Sequence, residues 1–313
     1  MQPNFTKPSL NMRIDSLDVA RGTALIAMAT YHFSWDLELF GYLAAGTASS
    51  GFLKLYARII ASSFLFMVGF SLVLATQNQI KWRPFLIRLS QVGAAALMIS
   101  VATYYTMPDG WIFFGILHHI VLASLIGLIF VRLHWVVALL AAVAAFALPQ
   151  MDLIVTQSPW LNFIGFYTVQ PNSNDFVPLF PWLSASLAGI GAAKLAAAFG
   201  WIETLARPKA STSPARQLKF LGQHSLIFYI VHQPVLIGAV WIASQIMPPQ
   251  LSAVGPQFQK QCQAVCENQF NENQCKIYCQ CFEIELSDNA AQWSQLAAEN
   301  KSRAISEVCS RKM

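Results

Sequence analysis

Apolar residues along the chain gather into runs of about 20, the length an α-helix needs to cross a hydrocarbon core of roughly 30 Å. The stretches between the runs are polar or carry Gly and Pro. The pattern predicts spanning helices at about residues 17–38, 56–76, 86–105, 112–131, 135–150, 179–199 and 219–246. The expected fold class is therefore all-α, a polytopic membrane helix bundle of about seven spans. From residue 248 the pattern stops, and a short polar tail holds all six cysteines: Cys262, Cys266, Cys275, Cys279, Cys281 and Cys309. The chain divides on this evidence into a membrane domain, 13–247, and a Cys-rich tail, 248–313. Composition supports the division: 55% of residues are hydrophobic and 11% charged, against about 25% charged in a soluble domain.

The placement of charge orients the spans. With the N-terminus in the cytoplasm, the inside segments hold Lys7, Arg13, Lys81, Arg83, Arg88, Arg132, Arg207, Lys209, Arg216 and Lys219, whereas the short outside loops hold Lys54 and Arg58. Seven crossings that begin inside end outside, so the tail is expected in the periplasm or an equivalent oxidising space. The first run is not a cleavable signal peptide, because Arg21 and His32 interrupt it and it ends in Trp35, Asp36 and Glu38. The net charge of +5 is spread between spans rather than clustered. The tail from Lys260 onward carries six basic and seven acidic residues, so nothing points to nucleic acid. The outer stretch from about Met151 to Val177 contains PWLNFIGFY and NDFVPLFPW, too apolar for a solvated linker, and reads as a re-entrant cover. RPKASTSPAR, on the inside, has linker chemistry.

In the tail, CQAVC and CKIYC form two C-x3-C pairs. Each pair lies on one helix face, so a hairpin of two short helices clamped by two disulfides is expected, with Cys281 and Cys309 as a third pair. An outside location favours oxidation. Zinc held by four cysteines is the alternative, since C-x3-C falls within ligand spacings; with disulfides preferred, no metal is expected.

Ionisable groups inside a span cost about 2.5–3.5 kcal/mol each on insertion scales, so each needs a partner or a function. Arg21 and His32 are eleven residues apart, about 20° from whole helical turns, and share a face roughly 16 Å apart along the axis. Asp36 follows His32 at i+4, a spacing that lets a carboxylate orient an imidazole, and Asp18 pairs with Arg21 at i+3. Arg21 also fits an anchor that snorkels or pairs with Asp18, and His32 an interhelical hydrogen bond. His118 and His119 point about 100° apart, so one of them is expected to be structural. His118 and His32 lie a few residues inside the outer surface, where their rings can meet near one depth. The last run carries His224, Tyr229 and His232, with Pro234 favouring a kink.

The stretch RGTALIAMATYH, with Arg21 and His32 in Arg-x10-His spacing, resembles the signature of the transmembrane acyltransferase superfamily. The likeness extends through RIDSLDVARGTALIAMATYHFSWDLELFG, FLFMVGFSL, FFGILHHI, NDFVPLFPW and LGQHSLIFYIVHQP. In that order these look like the blocks of the bacterial membrane family related to heparan-alpha-glucosaminide N-acetyltransferase, over about residues 13–240. The resemblance implies an acyltransferase of the bacterial inner membrane. It would carry an acyl group, usually acetyl, from cytoplasmic acetyl-CoA to an amine or hydroxyl of an extracytoplasmic sugar or glycan. It implies catalytic roles for His32, Asp36 and His118, donor binding through Arg21 and the inside Lys and Arg residues, whose charges suit CoA phosphates, and substrate binding by Asp175, Trp182 and His232. Neutral His32, held by Asp36 or His118, would take the acceptor's proton. Trp160, Phe166, Tyr167 and Trp182 suit stacking on a sugar ring, and equally an interfacial aromatic belt. The implied partners are the lipid bilayer, acyl-CoA and the glycan; a homo-oligomer is compatible with the sequence.

Two other classes fit parts of the pattern. A transporter would use the Arg21–His32 stripe to bind a small anionic or sugar substrate midway through the membrane. A haem or quinone protein would use His32, His118, His119, His224 or His232 as ligands, which leaves Arg21 on the His32 face without a role.

Overall fold

The computed structural model describes residues 14–43, 46–76, 79–151, 158–167, 170–207, 209–247, 249, 259, 262–263, 266–267, 270–287 and 298–312. Lys7, Arg13, Lys260 and the stretches 152–157 and 168–169 lie outside the described residues. The helices are α1 (Asp15–Leu39), α2 (Gly51–Thr76), α3 (Trp82–Thr106), α4 (Ile116–Arg132), α5 (Trp135–Ala147), α6 (Leu179–Ala198), α7 (Trp201–Ala206), α8 (Ser213–Gln223), α9 (Ser225–Ile246), α10 (Glu272–Ser287) and α11 (Ala298–Ser310). No strand forms among the described residues.

The fold is an all-α membrane bundle, and its helices fall on the seven apolar runs. α2, α3, α6 and α9 are each long and apolar enough to cross a bilayer, whereas α4 and the stretch Trp135–Met151 are apolar but shorter. α1 has 25 residues, ~37 Å at the helical rise, and is less apolar because it carries Asp18, Arg21, Asp36 and Glu38. The last run departs from expectation. Instead of one helix over 219–246 there are two, because His224 leaves the helical region (φ −107°, ψ 28°) and separates α8 from α9. Pro234 lies inside α9 without ending it.

Two compact units divide the chain, residues 1–27 with 58–230 and residues 28–57 with 231–313. In the first, the main apolar core gathers Leu72, Ala123, Ala138, Leu187 and Ile190 from α2, α4, α5 and α6. Two glycines allow α2 and α6 to touch: a Cβ on Gly69 would strike the Ser186 carbonyl, and one on Gly189 the Phe66 carbonyl. Such small-residue contacts bind helices by van der Waals packing where lipid removes the hydrophobic drive. Lys194, a cation within α6, donates to the carbonyls of Val131 (2.7 Å) and Leu133. It thereby satisfies the end of α4, where the helix dipole favours positive charge. At the start of α1, Asp15 pairs with Lys219 of α8 at 2.9 Å, a bond that holds the Asp15 carboxyl below its ordinary range.

In the second unit, Glu38 accepts hydrogen bonds from the N–H groups of Gly46 (2.5 Å) and Ala48 (2.6 Å), pinning the loop after α1. The tail carries disulfides Cys262–Cys279, Cys266–Cys275 and Cys281–Cys309. The first two are nested, the pattern of a clamped hairpin, and the third joins α10 to α11 around buried Ile305. With all six cysteines bonded, no thiolate is left for the zinc alternative.

Candidate functional site

A partly open cavity of about 1460 Å³ lies in the first unit, lined by α2, α3, α4 and the α8–α9 junction, with Arg21 and Leu25 from α1. Its polar lining includes Arg21, Lys81, Arg83, Arg88 and Gln223, and no carboxylate is among the described lining residues. Its apolar wall includes Met67, Met98, Leu117 and Ile230. Arg21 is oriented by its own helix: its Nη1 donates to Asp18 Oδ1 at 2.7 Å, one turn back, and its Nη2 donates to Ser71 Oγ of α2. The expected Asp18–Arg21 pair is therefore present, and Arg21 also faces the cavity.

The N-terminus of α4 is a second polar centre of this unit. Asp175, expected to bind substrate, accepts from the Ile116 N–H (3.0 Å) and the Tyr229 hydroxyl (3.2 Å). A carboxylate is favoured there by the free N–H groups and dipole of the helix start. Gly115 permits the approach, since a Cβ at that position would strike Asp175 Oδ2. Desolvation nevertheless holds the Asp175 carboxyl above its usual range, against the bonds from Ile116 and Tyr229. His118 has both ring nitrogens engaged: Nδ1 accepts from the Gly115 N–H (3.2 Å), so Nε2 carries the proton and faces Ser100 Oγ at 3.2 Å. Its neighbour His119 is fully buried, with Nδ1 3.2 Å from the Pro178 carbonyl, the structural member of the pair. Both histidines thus hold the loop ends around α4.

The second unit holds the other candidate groups. His32 meets the ring of His232, with centroids 5.0 Å apart and planes at 64°. Asp36, fully buried, does not bond His32. Its Oδ1 accepts from Gln233 Nε2 at 2.7 Å, and its Oδ2 has no hydrogen-bond partner among the described residues. The i+4 spacing brings Asp36 near His32 along α1, but an amide from α9 captures its oxygen first. Gln233 Oε1 is likewise buried without a hydrogen-bond partner. The unit therefore holds two buried acceptors, Asp36 Oδ2 and Gln233 Oε1, on the helices that carry the two imidazoles.

The aromatic residues of the stretch between α5 and α6, with Trp182 at the start of α6, divide by their surroundings. Phe166 stacks on Phe180 and Tyr167 packs on Phe176, at 5.2 and 5.5 Å between centroids. Trp182 packs with Leu65, Ile116 and Val177, whereas Trp160 is 88% exposed. Sequence reasoning missed Ser71 and Gln233, and it did not separate Lys81, Arg83 and Arg88, which line the cavity, from the other inside cations. Gln233 had a signal, a polar amide next to a histidine within a span; Ser71 had none.

No curated protein and no solved structure matches the chain. The family model described as heparan-alpha-glucosaminide N-acetyltransferase, catalytic, matches residues 13–234, a stretch that contains Arg21, the cavity, the α4 cap and the paired imidazoles. On that match the chain belongs to the heparan-alpha-glucosaminide N-acetyltransferase catalytic family, a membrane acetyltransferase-type family.

Proposed function

We propose that the protein moves an acyl group, acetyl in the simplest case, from cytoplasmic acyl-CoA to an amine or hydroxyl of an extracytoplasmic sugar or glycan. The observation that carries this reading is the cavity lining, in which Arg21, Lys81, Arg83 and Arg88 occur with no described carboxylate. A donor bearing several phosphates needs such cations. In this reading the cavity's basic end faces the cytoplasm, which the positive-inside tendency supports, with the N-terminus there and the disulfide-bonded tail in the periplasm of a bacterial inner membrane.

The acceptor chemistry falls to the second unit. Asp36 and Gln233 supply acceptors for the N–H or O–H groups of the incoming sugar, and His232 contacts it beside His32. His32 takes the proton as the amine or hydroxyl attacks the thioester carbonyl. The new C–N or C–O bond forms as the C–S bond breaks, and CoA leaves as thiolate and recovers the proton from the imidazolium. Help of this kind is worth typically 10²–10⁴-fold. Transfer through a transient acyl-His uses the same residues in two steps. In this reading Asp175, Trp182 and His118 support the walls around α4.

The test supplies labelled acetyl-CoA to inside-out vesicles and follows, by mass spectrometry, label on lumenal glycans. The expected result is transfer by the wild type and none by His32→Ala, which still inserts and folds. Turnover in that variant at the wild-type rate overturns the mechanism. Absence of transfer with any acyl-CoA overturns the enzyme reading in favour of a transporter.

A further inference from the structure

On α3 the cavity lining passes from Arg83 and Arg88 to Ala94 and Met98, and a single amide, Gln91, stands between the two kinds. From the start of α3 at Trp82 to Gln91 is ~13 Å along the axis, so the amide lies within the spanning part of the helix. A polar side chain at that depth is unfavourable unless it is hydrogen-bonded. Gln91 is exposed, and among the described residues its side chain has no hydrogen-bond partner. α4 brings a second polar group to the same level. Ser100 Oγ meets His118 Nε2 at 3.2 Å, and a Cβ on Gly93 would lie 3.9 Å from Val121. The two helices therefore run antiparallel, and Ser124, about one turn beyond Val121, stands level with Gln91. Ser124 also lines the cavity, and its hydroxyl donates to the Ile120 carbonyl at 2.6 Å. With its proton so engaged, Ser124 Oγ presents lone pairs as an acceptor, whereas the Gln91 amide offers N–H donors. A group that carries both a carbonyl and an N–H suits this pair.

We infer that Gln91 and Ser124 recognise a secondary amide of the donor, and so select acyl groups carried on an amide-bearing arm. The inference rests on the donor reading above and names the part of the donor that these two residues read. CoA presents its groups in the order that α3 requires. Its phosphates meet Arg83 and Arg88, and its arm, with two secondary amides, continues past them. The carbonyl and N–H of a trans amide point to opposite sides, so Gln91 Nε2 donates to the carbonyl and Ser124 Oγ accepts the N–H. An acyl phosphate, or a thioester without the amide, leaves both groups unpaired. A site built to hydrogen-bond its ligand discriminates against an analogue that lacks the bonding group.

The test measures equilibrium binding to the full-length protein in phosphatidylcholine nanodiscs, with empty nanodiscs as the blank. The probes are CoA, ADP, which lacks the arm, and two CoA analogues in which one or the other arm amide is replaced by an ester. One analogue is expected to bind the wild type roughly 3- to 10-fold more weakly than CoA, the worth of one hydrogen bond, and Ser124→Ala to close that gap. Gln91→Leu is expected to lose CoA affinity by a similar factor and to bind ADP as the wild type does. Equal binding of CoA and both analogues by the wild type overturns the inference while leaving the donor reading intact. So does a gap that survives in Ser124→Ala, or a Gln91→Leu variant that keeps its CoA affinity or loses ADP affinity in the same proportion. Failure of both CoA and ADP to bind the wild type overturns the donor reading as well. The wild-type comparison decides the question even where a variant does not fold.

Discussion

Arg21 has two roles in the first unit, as the partner of Asp18 and as a wall of the cavity, and a charge-removal cycle separates them. Arg21→Ala takes away the guanidinium that lies 2.7 Å from a carboxylate only 1% exposed. Breaking a buried pair by removing one partner costs about 3–5 kcal/mol, because the other charge is left without compensation. Arg21 is 17% exposed towards the cavity, and Gln223 Nε2 remains 3.4 Å from Asp18, so the lower end, about 3 kcal/mol, applies. At roughly 2–4 °C per kcal/mol for a unit of this size, the midpoint of thermal unfolding falls by about 6–12 °C. Asp18→Asn with Arg21→Ala removes both charges and leaves an amide that still bonds Gln223; its stability is expected within ~1 kcal/mol of wild type. CoA affinity behaves differently. A charge-assisted bond to phosphate is worth about 1.5–3 kcal/mol, so both variants are expected to lose tenfold or more. Tryptophan fluorescence against temperature, alongside CoA titration of the same solubilised samples, reads both quantities. A single variant as stable as wild type, or a double variant that loses the sum of the two single losses, refutes the stranded-charge argument. Recovery of CoA affinity in the double variant refutes the phosphate role.

Two further perturbations address other elements. Burial raises the Asp175 carboxyl above its ordinary value, so the folded protein holds this proton more tightly than the unfolded chain. Stability should therefore fall as pH climbs from the ordinary carboxylate value to the raised one, and stay level above it. Asp175→Asn, neutral throughout, should lose that slope; an unchanged slope in denaturation midpoints across this window would count against the cap. Cys281→Ser with Cys309→Ser opens a loop with a sequence separation of 28. Chain entropy puts the loss at about 3–4 kcal/mol, confined to the tail. Amides of 298–312 are expected to exchange faster while CoA affinity stays at the wild-type value, and unchanged protection would show that the disulfide does not hold α11.

What was legible in the sequence follows from the membrane itself. A bilayer imposes one length on every span and excludes unpaired backbone groups, so the apolar runs located the helices; the tail's cysteine spacing pointed to a clamped hairpin and a Cys281–Cys309 pair, and the nested connectivity came from the structure. The exceptions arose where local geometry decides. His224 breaks the last run because the chain must turn from α8 into α9, and nothing in the apolar pattern marks that turn. Asp36 was assigned to His32 by spacing along α1, yet spacing on one helix says nothing of what another helix offers, and Gln233 of α9 takes the oxygen. The same limit applies to His118: its depth in the run was foreseen, but its engagement with Gly115 and Ser100 depends on how α4 begins.

Lys81, Arg83 and Arg88 show the limit in its sharpest form. Their position between spans was read both as orientation and, with the other inside cations, as charge for CoA phosphates, and by either criterion they resemble Arg207, Lys209 and Arg216. Only the first three line the cavity. The two demands select the same residue type at the same end of the helices: the positive-inside rule keeps cations on the cytoplasmic side, and a cytoplasmic donor rich in phosphate needs them there. A sequence therefore cannot separate the cations that orient a protein from those that bind its donor. What separates them is whether the helix behind them opens into an apolar space. α3 does so along Ile87, Ala94 and Met98, and this apolar wall, rather than the charge, sets Lys81, Arg83 and Arg88 apart as the cations of the proposed donor site.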